Sequence, residues 1–296
     1  MSKKTGPSSR QINNFRRVVL EYFEKNGRHT LPWRKVRDPY KILVSEIMLQ
    51  QTQVDRVIPY YERFLRIFPT VQKLAASDLA SVLKIWSGLG YNRRAKLLRD
   101  CAREVVEKYS GTLPRDRAAL ESLPGIGPYT AGAVQAFAFN DSVVLIETNI
   151  RTVYIHHFAK IWTSDVHISS NYHSCVLQKT GIEDSEILEI AKRAAEGQGA
   201  RKWHWALMDY GAYLKRSGVK LNQKSAHFTK QSKFEGSQRQ VRGAILRALK
   251  TSASEAQIFR RCHLGVSRKK IREALRSLER DGLILKRKGK WQISTH

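Results

Sequence analysis

The sequence is poor in cysteine and in acidic residues, and it has no long apolar run. Its 296 residues include three cysteines, and 26 Asp and Glu against 53 Lys and Arg. Cys101, Cys175 and Cys262 lack the spacing of metal-ligand or redox pairs, which excludes a secreted disulfide scaffold. No segment is apolar over the length of a bilayer, and no signal peptide opens the chain. We therefore expect an intracellular protein, cytoplasmic (nucleoid-associated) or nuclear, without membrane contacts.

The shortage of acids leaves a formal net charge of +27 and an isoelectric point near 10.3. Enzymes of small anionic metabolites rarely carry such an excess, whereas polyphosphate partners favour it because each neutralised phosphate releases counterions. Ribosomal packing and adhesion to anionic lipid are the alternatives. Lipid adhesion usually shows as one basic amphipathic helix, but here the charge is spread along the chain. Nucleic acid is the expected partner.

Helical periodicity dominates from residue 11 to about residue 218, without alternating strand patterns, which predicts an all-α body. Residues 1–10 have the composition of a flexible basic tail, and residues 219–236 that of a polar linker. Residues 237–296 form a separate unit. The helices predicted for the body cover roughly 11–25, 40–51, 54–67, 70–75, 78–86, 92–109, 116–122, 128–138, 148–161, 185–195 and 203–216.

The unit at 237–296 combines three amphipathic helices with a basic hairpin, an order that resembles a winged helix. Residues 219–296 hold 20 Lys and Arg against 5 Asp and Glu, which favours DNA contacts over protein contacts alone. We expect the wing and the start of the third helix to bind DNA. The residues at that helix start are Arg268, Lys269 and Lys270.

Two glycine turns are candidate phosphate-binding elements. The string LPGIGPYTAG places Gly125 and Gly127 between two helices, where the backbone can turn tightly and offer unpaired N–H groups to a phosphate. The turn Ser87–Tyr91 precedes a basic helix that contains Arg93 and Arg94, where we expect a second backbone contact. Glycine used only for packing, and a solvated basic helix face, are the alternatives.

Glu46 is the acid within the apolar segment YKILVSEIMLQQTQV. At helical spacing it shares a face with Ile42, Leu43 and Leu49, so we expect it to point inward, where burial favours the protonated form by raising its pKa. A protonated carboxyl beside a flipped base can donate to a ring nitrogen and turn the base into a leaving group. On position alone, an accidental Glu at the helix edge is the alternative.

The full string LPGIGPYTAG is the helix-hairpin-helix signature. Together with LPWR, DPYKI, SEIMLQQTQV and GLGY, it runs in the order and spacing of MutY-type adenine DNA glycosylases of the endonuclease III-like (helix-hairpin-helix GPD) superfamily. The resemblance covers residues 25–215 or so. It implies a two-lobed DNA glycosylase body that flips a mispaired or damaged base out of double-stranded DNA and hydrolyses its glycosidic bond in base excision repair. We expect a monomer.

The resemblance also assigns site residues. Glu46 matches the catalytic acid of that family, and Gln51 matches a residue that wedges into the base stack. Glycoside cleavage uses a second carboxylate, for which the family carries Asp followed by a small residue and Asn. Here Glu147 stands at the Asp position and Asn149 follows. The additional methylene implies either a shifted backbone or a weak or inactive relative. We expect an active enzyme.

Tyr129 stands where the bifunctional members have a Lys that forms a Schiff base and nicks the strand. A phenol cannot form that imine, so the resemblance implies a monofunctional hydrolase without AP lyase activity, in which Tyr129 lines the pocket. An ordinary half-buried tyrosine is the alternative. Most members also hold an iron–sulfur cluster on four cysteines. Lys215 stands where the first is expected, and no later cysteine replaces the others, so we expect no cluster, no other metal and no cofactor.

Two features weaken the case for adenine. Trp205 stands where adenine glycosylases usually carry Gln or Glu, and we interpret it mainly as a packing residue. Residues 237–296 take the place of the family domain that reads an oxidised guanine. Three functions therefore remain open. The first is release of adenine opposite guanine or oxidised guanine, the second is release of mispaired thymine or uracil on the same fold, and the third is non-catalytic binding of damaged DNA.

Overall fold

The computed structural model describes residues 6–162, 181–229, 233–262 and 265–295. Fourteen α-helices and a two-stranded sheet make up these residues, apart from short turns of other helix types. The helices are α1 (Ser9–Asn26), α2 (Pro39–Leu49), α3 (Val54–Ile67), α4 (Val71–Ala75), α5 (Leu79–Trp86), α6 (Arg93–Tyr109), α7 (Arg117–Ser122), α8 (Pro128–Val134), α9 (Thr148–Trp162), α10 (Asp184–Ala195), α11 (Ala200–Arg216), α12 (Gln238–Ala248), α13 (Glu255–Arg261) and α14 (Arg268–Arg280).

The prediction of an all-α body is confirmed, and most helix boundaries agree within two residues. The helix predicted over 128–138 is α-helical only to Val134 and continues as a π-helical turn over Gln135–Phe139. The start of α11 lies at Ala200 rather than at residue 203. The Asn140 side chain accepts a hydrogen bond from the Arg201 backbone N–H at 3.0 Å and so supports an earlier first turn. Sequence periodicity reports only local spacing, so it cannot predict a hydrogen-bond partner 61 residues away.

The N-terminal tail is shorter than predicted. Ser8 caps α1 by accepting a hydrogen bond from the Gln11 backbone N–H, while the Gln11 side chain accepts one from the Ser8 backbone N–H at 2.8 Å. This capping box satisfies donors that the start of a helix would otherwise expose. The helix therefore begins inside the segment that we predicted to be flexible. Residues 1–5 lie outside the described residues.

The chain forms two compact units, Met1–Arg37 with Ala131–Lys230, and Asp38–Thr130 with Gln231–His296. In the first unit, α11 packs on α9 and α1. The ring of Phe15 lies 5.3 Å from that of Tyr154 and 5.7 Å from that of Trp203, measured between centroids, and all three side chains are buried. Aromatic packing of this kind forms the centre of the unit.

A buried ion pair also holds the first unit together. Arg34, from the LPWR string, donates two hydrogen bonds to Asp209 at 2.7 and 2.9 Å, and the Arg28 side chain adds a third at 2.6 Å. Desolvation opposes the charge on Asp209, but the hydrogen bonds and positive charges of Arg34 and Arg28 outweigh it and hold the pKa of Asp209 below its ordinary value. The carboxylate is therefore ionised and tied to both arginines.

The segment 219–236, predicted to be a linker, is only partly one. Leu221–Lys224 forms a 3-10 turn in the first unit, with Leu221 buried. The backbone N–H groups of Gly181 and Ile182 donate to the Lys224 carbonyl at 2.9 and 3.0 Å. These bonds fix a stretch whose polar composition gives no periodic pattern, which is why the prediction was wrong for 219–229. Residues 230–232 lie outside the described residues.

The second unit contains α2–α7 and, from the C-terminal segment, α12–α14 with the sheet. The two strands, β1 (Ile284–Arg287) and β2 (Lys290–Ile293), pair antiparallel with Arg287 opposite Lys290. Lys288 and Gly289 between them have φ values of +48° and +74°, as a two-residue turn requires. The order of elements is that of the sequence expectation, and the winged helix stays a prediction.

No helix among the described residues is both long and apolar enough to cross a membrane.

Candidate DNA-binding and catalytic site

Glu46 lies in α2, in the second unit. Asp38 caps this helix by accepting the Tyr40 N–H at 2.9 Å, and Pro39 occupies the first helical position, where its missing N–H costs nothing. Residues 42–48 are all buried, and Glu46 itself is 8% exposed. The predicted inward orientation agrees with this burial. Burial withdraws a carboxyl group from water, which is one of the conditions that general-acid chemistry uses.

Arg94 binds the C-terminal end of the Glu46 helix. Its guanidinium donates to the carbonyl oxygens of Ile47, Met48 and Gln50 at 2.6, 3.1 and 2.6 Å, and to Thr52 Oγ1 at 3.2 Å. A cation at this position satisfies carbonyls that a helix end leaves free and is favoured by the helix dipole. Arg94, which we predicted to contact phosphate, therefore uses its hydrogen bonds within the protein.

Two aromatic rings hold Arg94 in place. The guanidinium carbon lies 5.4 Å from the ring centroids of both Trp86 and Tyr91, within the range of cation–π attraction. Burial lowers the pKa of Arg94 to about 10, which leaves it charged at neutral pH. The same guanidinium reaches the Gly90 carbonyl at 3.2 Å. It therefore joins the loop after α2 to the turn before α6.

The turn Ser87–Tyr91 is fixed from the opposite side by α3. Tyr60 Oη donates to the Ser87 carbonyl at 3.1 Å, and Arg56 donates to the Gly88 carbonyl. Gly88 has a φ of +108°, and a Cβ there would lie 2.0 Å from Tyr60 Oη. Only glycine fits this position, because any side chain would displace the tyrosine. The second glycine turn of the sequence is thus a rigid element.

Gln51 and Tyr91 both adopt left-handed backbone conformations, with φ values of +54° and +48°. Residues other than glycine rarely adopt this region, and such conformations collect at binding and catalytic sites, where the surroundings enforce them. Gln51 is exposed and Tyr91 is half-buried. The loop 50–53 and the turn 87–92, joined by Arg94, are called the loop platform below. It presents Gln51 to the solvent.

The helix-hairpin-helix turn follows α7. Gly125 has a φ of +77°, and a Cβ there would lie 2.8 Å from the Leu97 Cβ, so this glycine is required for packing. Gly127 faces open space, with no atom within 4 Å of a hypothetical Cβ. Both glycines are exposed, as a backbone contact to another molecule needs. Tyr129 is half-buried, which suits both the pocket-lining role and the ordinary packing role considered for it.

Glu147 lies in the first unit, at the start of α9. Its carboxylate accepts hydrogen bonds from the backbone N–H groups of Asn149 and Ile150 at 2.8 and 2.9 Å, and from the Asn149 side chain at 3.3 Å. Glu147 thus caps the helix in the way that a shorter Asp does at such positions, with the methylene accommodated. Glu147, which stands at the Asp position of the family, therefore presents a carboxylate that accepts three hydrogen bonds.

Opposing influences act on the acidity of Glu147. Desolvation raises its pKa, while the N–H groups of Asn149 and Ile150 and the charges of Lys215 and Arg151 act against that rise; the net shift is upward. Lys215 donates to Asn149 Oδ1 at 3.3 Å. The residue that stands in place of the first expected cluster cysteine therefore contacts the Glu147–Asn149 cap.

His204 was not among the predicted site residues. Its Nε2 accepts the Leu145 backbone N–H at 3.0 Å, and its Nδ1 lies 2.7 Å from the Ala200 carbonyl, so it is neutral and donates from Nδ1. Burial lowers its pKa to about 4. The ring fixes the backbone of the segment that leads into Glu147. Only its place in the string WHW marked this histidine, and that pattern does not indicate its partners.

Trp205 packs against its own unit. Its ring stacks on Phe137 at 5.9 Å, and the guanidinium carbons of Arg34 and Arg37 lie 5.2 and 5.7 Å from its centroid. These contacts support the interpretation of Trp205 mainly as a packing residue.

The remaining predicted DNA contacts are exposed. Arg93 lies 3.8 Å from Asp281 with most of its side chain in solvent. Arg268 and Lys269, at the start of α14, are exposed, and Lys270 is half-exposed. Their placement leaves all four available to a phosphate.

Within the part of the chain that the structure describes, no group of three or more His, Cys, Asp or Glu side chains could hold a metal ion. Cys175 lies outside that part. The expectation that the protein holds no cluster stays a prediction.

Comparison with known proteins places this geometry in a family. The model of the "HhH-GPD superfamily base excision DNA repair protein" family matches residues 44–196, which include Glu46, the loop platform, the hairpin glycines and Glu147. The chain belongs to the HhH-GPD superfamily. The predicted membership is therefore confirmed.

Curated members of the superfamily that resemble the chain are named adenine DNA glycosylases. The protein from Mycolicibacterium smegmatis is 33% identical over 252 residues, which cover 80% of this chain and 80% of that protein. The protein from Buchnera aphidicola subsp. Baizongia pistaciae is 38% identical over 68% of this chain and 52% of its own length. The rat protein is 43% identical over 47% of this chain. The chain spans about half the length of the Buchnera relative and 28% of the rat relative.

A solved HhH-GPD structure also resembles the chain. The structure of a thermostable thymine-DNA glycosylase superposes with a TM-score of 0.56 and 27% identity, over 69% of this chain and 87% of that one. The fold is also shared with a Helicobacter pylori 3-methyladenine DNA glycosylase, at a TM-score of 0.51 and 14% identity.

Proposed function

We propose that this chain is a monofunctional DNA glycosylase of base excision repair that removes adenine mispaired with guanine or oxidised guanine. The observation that carries the proposal is the burial of Glu46 in the apolar helix α2, within a string that resembles that of MutY-type adenine DNA glycosylases. The enzyme acts as a monomer on double-stranded DNA inside the cell. It needs no metal and no cofactor.

The proposed reaction begins with proton transfer. Glu46 gives its proton to a ring nitrogen of the flipped base, and the electron pair of the glycosidic bond leaves with the base. The sugar is left with positive charge, which the Glu147 carboxylate stabilises while water adds to the anomeric carbon. The added water gives up one proton to the Glu46 carboxylate, which restores the acid. Tyr129 has no amine with which to form an imine, so water is the final nucleophile and the strand stays intact.

The proposed grip on DNA uses backbone and side-chain contacts. The exposed glycines Gly125 and Gly127 let the hairpin approach a phosphate closely. Gln51, held in a left-handed conformation on the loop platform, enters the base stack beside the extruded nucleotide. Asn149, which binds both Glu147 and Lys215, orients the second carboxylate near the sugar.

Mispaired thymine or uracil is the second candidate substrate. Two observations favour it: the structure of a thymine-DNA glycosylase resembles this chain over 87% of that protein's length, and Trp205 stands where adenine glycosylases usually carry Gln or Glu. A tryptophan packed between Phe137 and two arginines offers no paired amide to an adenine edge.

The deciding experiment measures free base released from a panel of duplexes under single-turnover conditions. The panel contains A:G, A:oxidised G, T:G and U:G pairs, with A:T as the control. We expect release from the two adenine mispairs, without strand nicking and without a borohydride-trapped adduct. Release only from T:G or U:G would exclude adenine and identify mispaired thymine or uracil as the substrate. Tight binding with no release from any duplex would support a non-catalytic damage-binding protein.

The pH dependence of base release tests the role of Glu147. The carboxylate must be ionised to stabilise the sugar cation, and its pKa lies above the ordinary 4.5. Release should therefore fall on acidification, starting at a higher pH than an ordinary Glu would give. Glu147→Asp should shift the pH at which release falls, whereas Glu147→Gln should abolish this pH dependence along with most of the rate. The same fall at low pH in both variants as in the unaltered chain would contradict the proposed role of Glu147.

A further inference from the structure

A groove in the second unit is not part of the predicted site. It has a volume of about 1400 Å³ and runs between the loop platform and the C-terminal segment. One wall contains residues 51–53 and 87–92. The other contains parts of α12, the residues that follow it up to Ser252, and the end of β2. Small-molecule sites have volumes of about 300–1,000 Å³, so this groove is large for one small ligand and suits a polymer.

The groove is positively charged. None of the described residues that line it is acidic. Lys84, Arg247 and Lys250 are exposed and form no ion pair with a described residue. Unpaired cations along a groove favour a polyanion, since each phosphate bound releases counterions. The basic side chains in the lining are Arg56, Lys84, Arg239, Arg247 and Lys250.

The groove also offers uncharged features that suit a nucleic acid strand. Phe234 lines it and is 57% exposed, which provides an aromatic face on which a base can stack. Gly90 lines it as well, and a Cβ there would meet no atom within 4 Å, so a strand can approach this residue closely. Gln51, the residue assigned to the base stack, lies at the same groove.

One contact joins the two walls directly, and two more join α6 to the end of α14. Arg239 of α12 donates to Tyr91 Oη at 2.8 Å, and its guanidinium carbon lies 5.1 Å from the Tyr91 ring centroid. Arg93 lies 3.8 Å from Asp281 at the end of α14. Lys96 lies against Gly282, where a Cβ would be 3.1 Å from its Cε. These contacts fix the elements that form the groove.

We propose that this groove binds the sugar–phosphate backbone of a strand of the duplex into which Gln51 inserts, with Arg247 and Lys250 as phosphate ligands. The proposal rests on the proposed function for the nature of that duplex. It gives the C-terminal segment a DNA contact through α12 and the residues after it, a different surface from the α14 start and the wing predicted from the sequence.

Methylphosphonate scanning of the full chain tests the proposal. The probe is a duplex with an abasic-site analogue, in which single phosphates on either strand are replaced by neutral methylphosphonates. Binding of this probe requires no base release, so its outcome is independent of whether the chain is an enzyme. For the unaltered protein, we expect replacement of one or two phosphates close to the analogue to weaken binding severalfold.

The groove variant R247A/K250A should bind the unmodified probe roughly tenfold more weakly, and the same replacements should then have no further effect. The matched variant R276A/R280A removes the same charge from the exposed face of α14 and should keep the full sensitivity at those phosphates. Unchanged thermal midpoints establish that both variants fold. Sensitivity lost in R276A/R280A and kept in R247A/K250A would overturn the proposal, as would equal binding of the unaltered protein and the groove variant.

Discussion

Two basic helix starts in the second unit look alike in sequence and differ in structure. Arg93 and Arg94 begin α6, and Arg268–Lys270 begins α14. At α6 the second arginine turns inward and donates five hydrogen bonds to protein oxygens around the Glu46 helix and Gly90. At α14 the side chains remain at the surface.

A basic cluster at a helix start therefore has no single structural role. A guanidinium presents five donors in a fixed fork, which can satisfy several carbonyls at a helix end as well as it can bind a phosphate. Neighbouring acceptors and rings decide between these uses, and in this chain the carbonyls of residues 47–50 with Trp86 and Tyr91 take Arg94. The α14 start has no such acceptors among the described residues.

Replacement of Arg94 should have the largest effect. Arg94→Ala leaves several carbonyls at the end of α2 without a donor, so the free energy of unfolding should fall by about 2 kcal/mol or more. The loop platform loses its central tie, and a displacement near 1 Å beside the reacting base costs roughly a hundredfold in rate. Denaturant unfolding and single-turnover base release measure the two effects. Arg94→Lys should lie in between. Base release by Arg94→Ala at the rate of the unaltered chain would contradict the role of Arg94 as the central tie of the loop platform.

Replacement of the α14 start should act on affinity alone. R268A/K269A/K270A removes up to three phosphate contacts, so the slope of log K against log salt should become shallower by about 2 to 3, with roughly tenfold weaker binding. Base release with DNA saturated by enzyme should stay unchanged. Titrations at several salt concentrations give the slope. An unaltered slope would show that this surface does not meet DNA.

Two variants at position 51 test whether the loop platform holds Gln51 in its left-handed conformation. Gln51→Gly removes the side chain but accepts the φ of +54° without strain, whereas Gln51→Ala keeps the strain. The left-handed conformation costs Ala about 1–2 kcal/mol, and the greater freedom of Gly in the unfolded chain offsets roughly 0.4–1 kcal/mol of that. The glycine variant should therefore exceed the alanine variant in free energy of unfolding by about 0.5 to 1 kcal/mol. Both should release base severalfold more slowly than the unaltered chain. Equal stability of the two variants would contradict the enforced conformation.

Arg93 provides the smallest expected effect. Arg93→Ala removes the same charge from the same turn as Arg94→Ala, but its side chain is mostly in solvent beside Asp281. The free energy of unfolding should change by less than about 0.5 kcal/mol. If Arg93→Ala lowered the free energy of unfolding as much as Arg94→Ala, the structural difference between the two arginines would be contradicted.

Much of the fold followed from the sequence because local rules determine it. Helix bounds, the cap of α2 at Asp38 and the two-residue turn at Lys288 and Gly289 depend on periodicity and on residues close in the chain. The inward orientation of Glu46 was predicted from the apolar residues around it in the sequence. These features need no knowledge of distant partners.

The rest depended on contacts between residues far apart in sequence. The ties from Arg94 to the loop after α2, from His204 to the segment before Glu147, and from Lys224 to Gly181 join positions separated by more than 40 residues. A sequence gives the capacity of each group to donate or accept, and the fold selects the partner. For that reason Arg94, predicted to contact a phosphate, is half-buried and donates its hydrogen bonds within the protein.

The most direct test of the account compares the unaltered chain with Glu46→Gln on an adenine mispair. Both proteins are measured for binding to the intact mispaired duplex and for free adenine released in a single turnover. We expect equal binding, because the amide keeps the size of the buried side chain, and loss of release by at least a hundredfold, because the amide has no acid proton to transfer. Release at the unaltered rate by Glu46→Gln would show that Glu46 is not the acid.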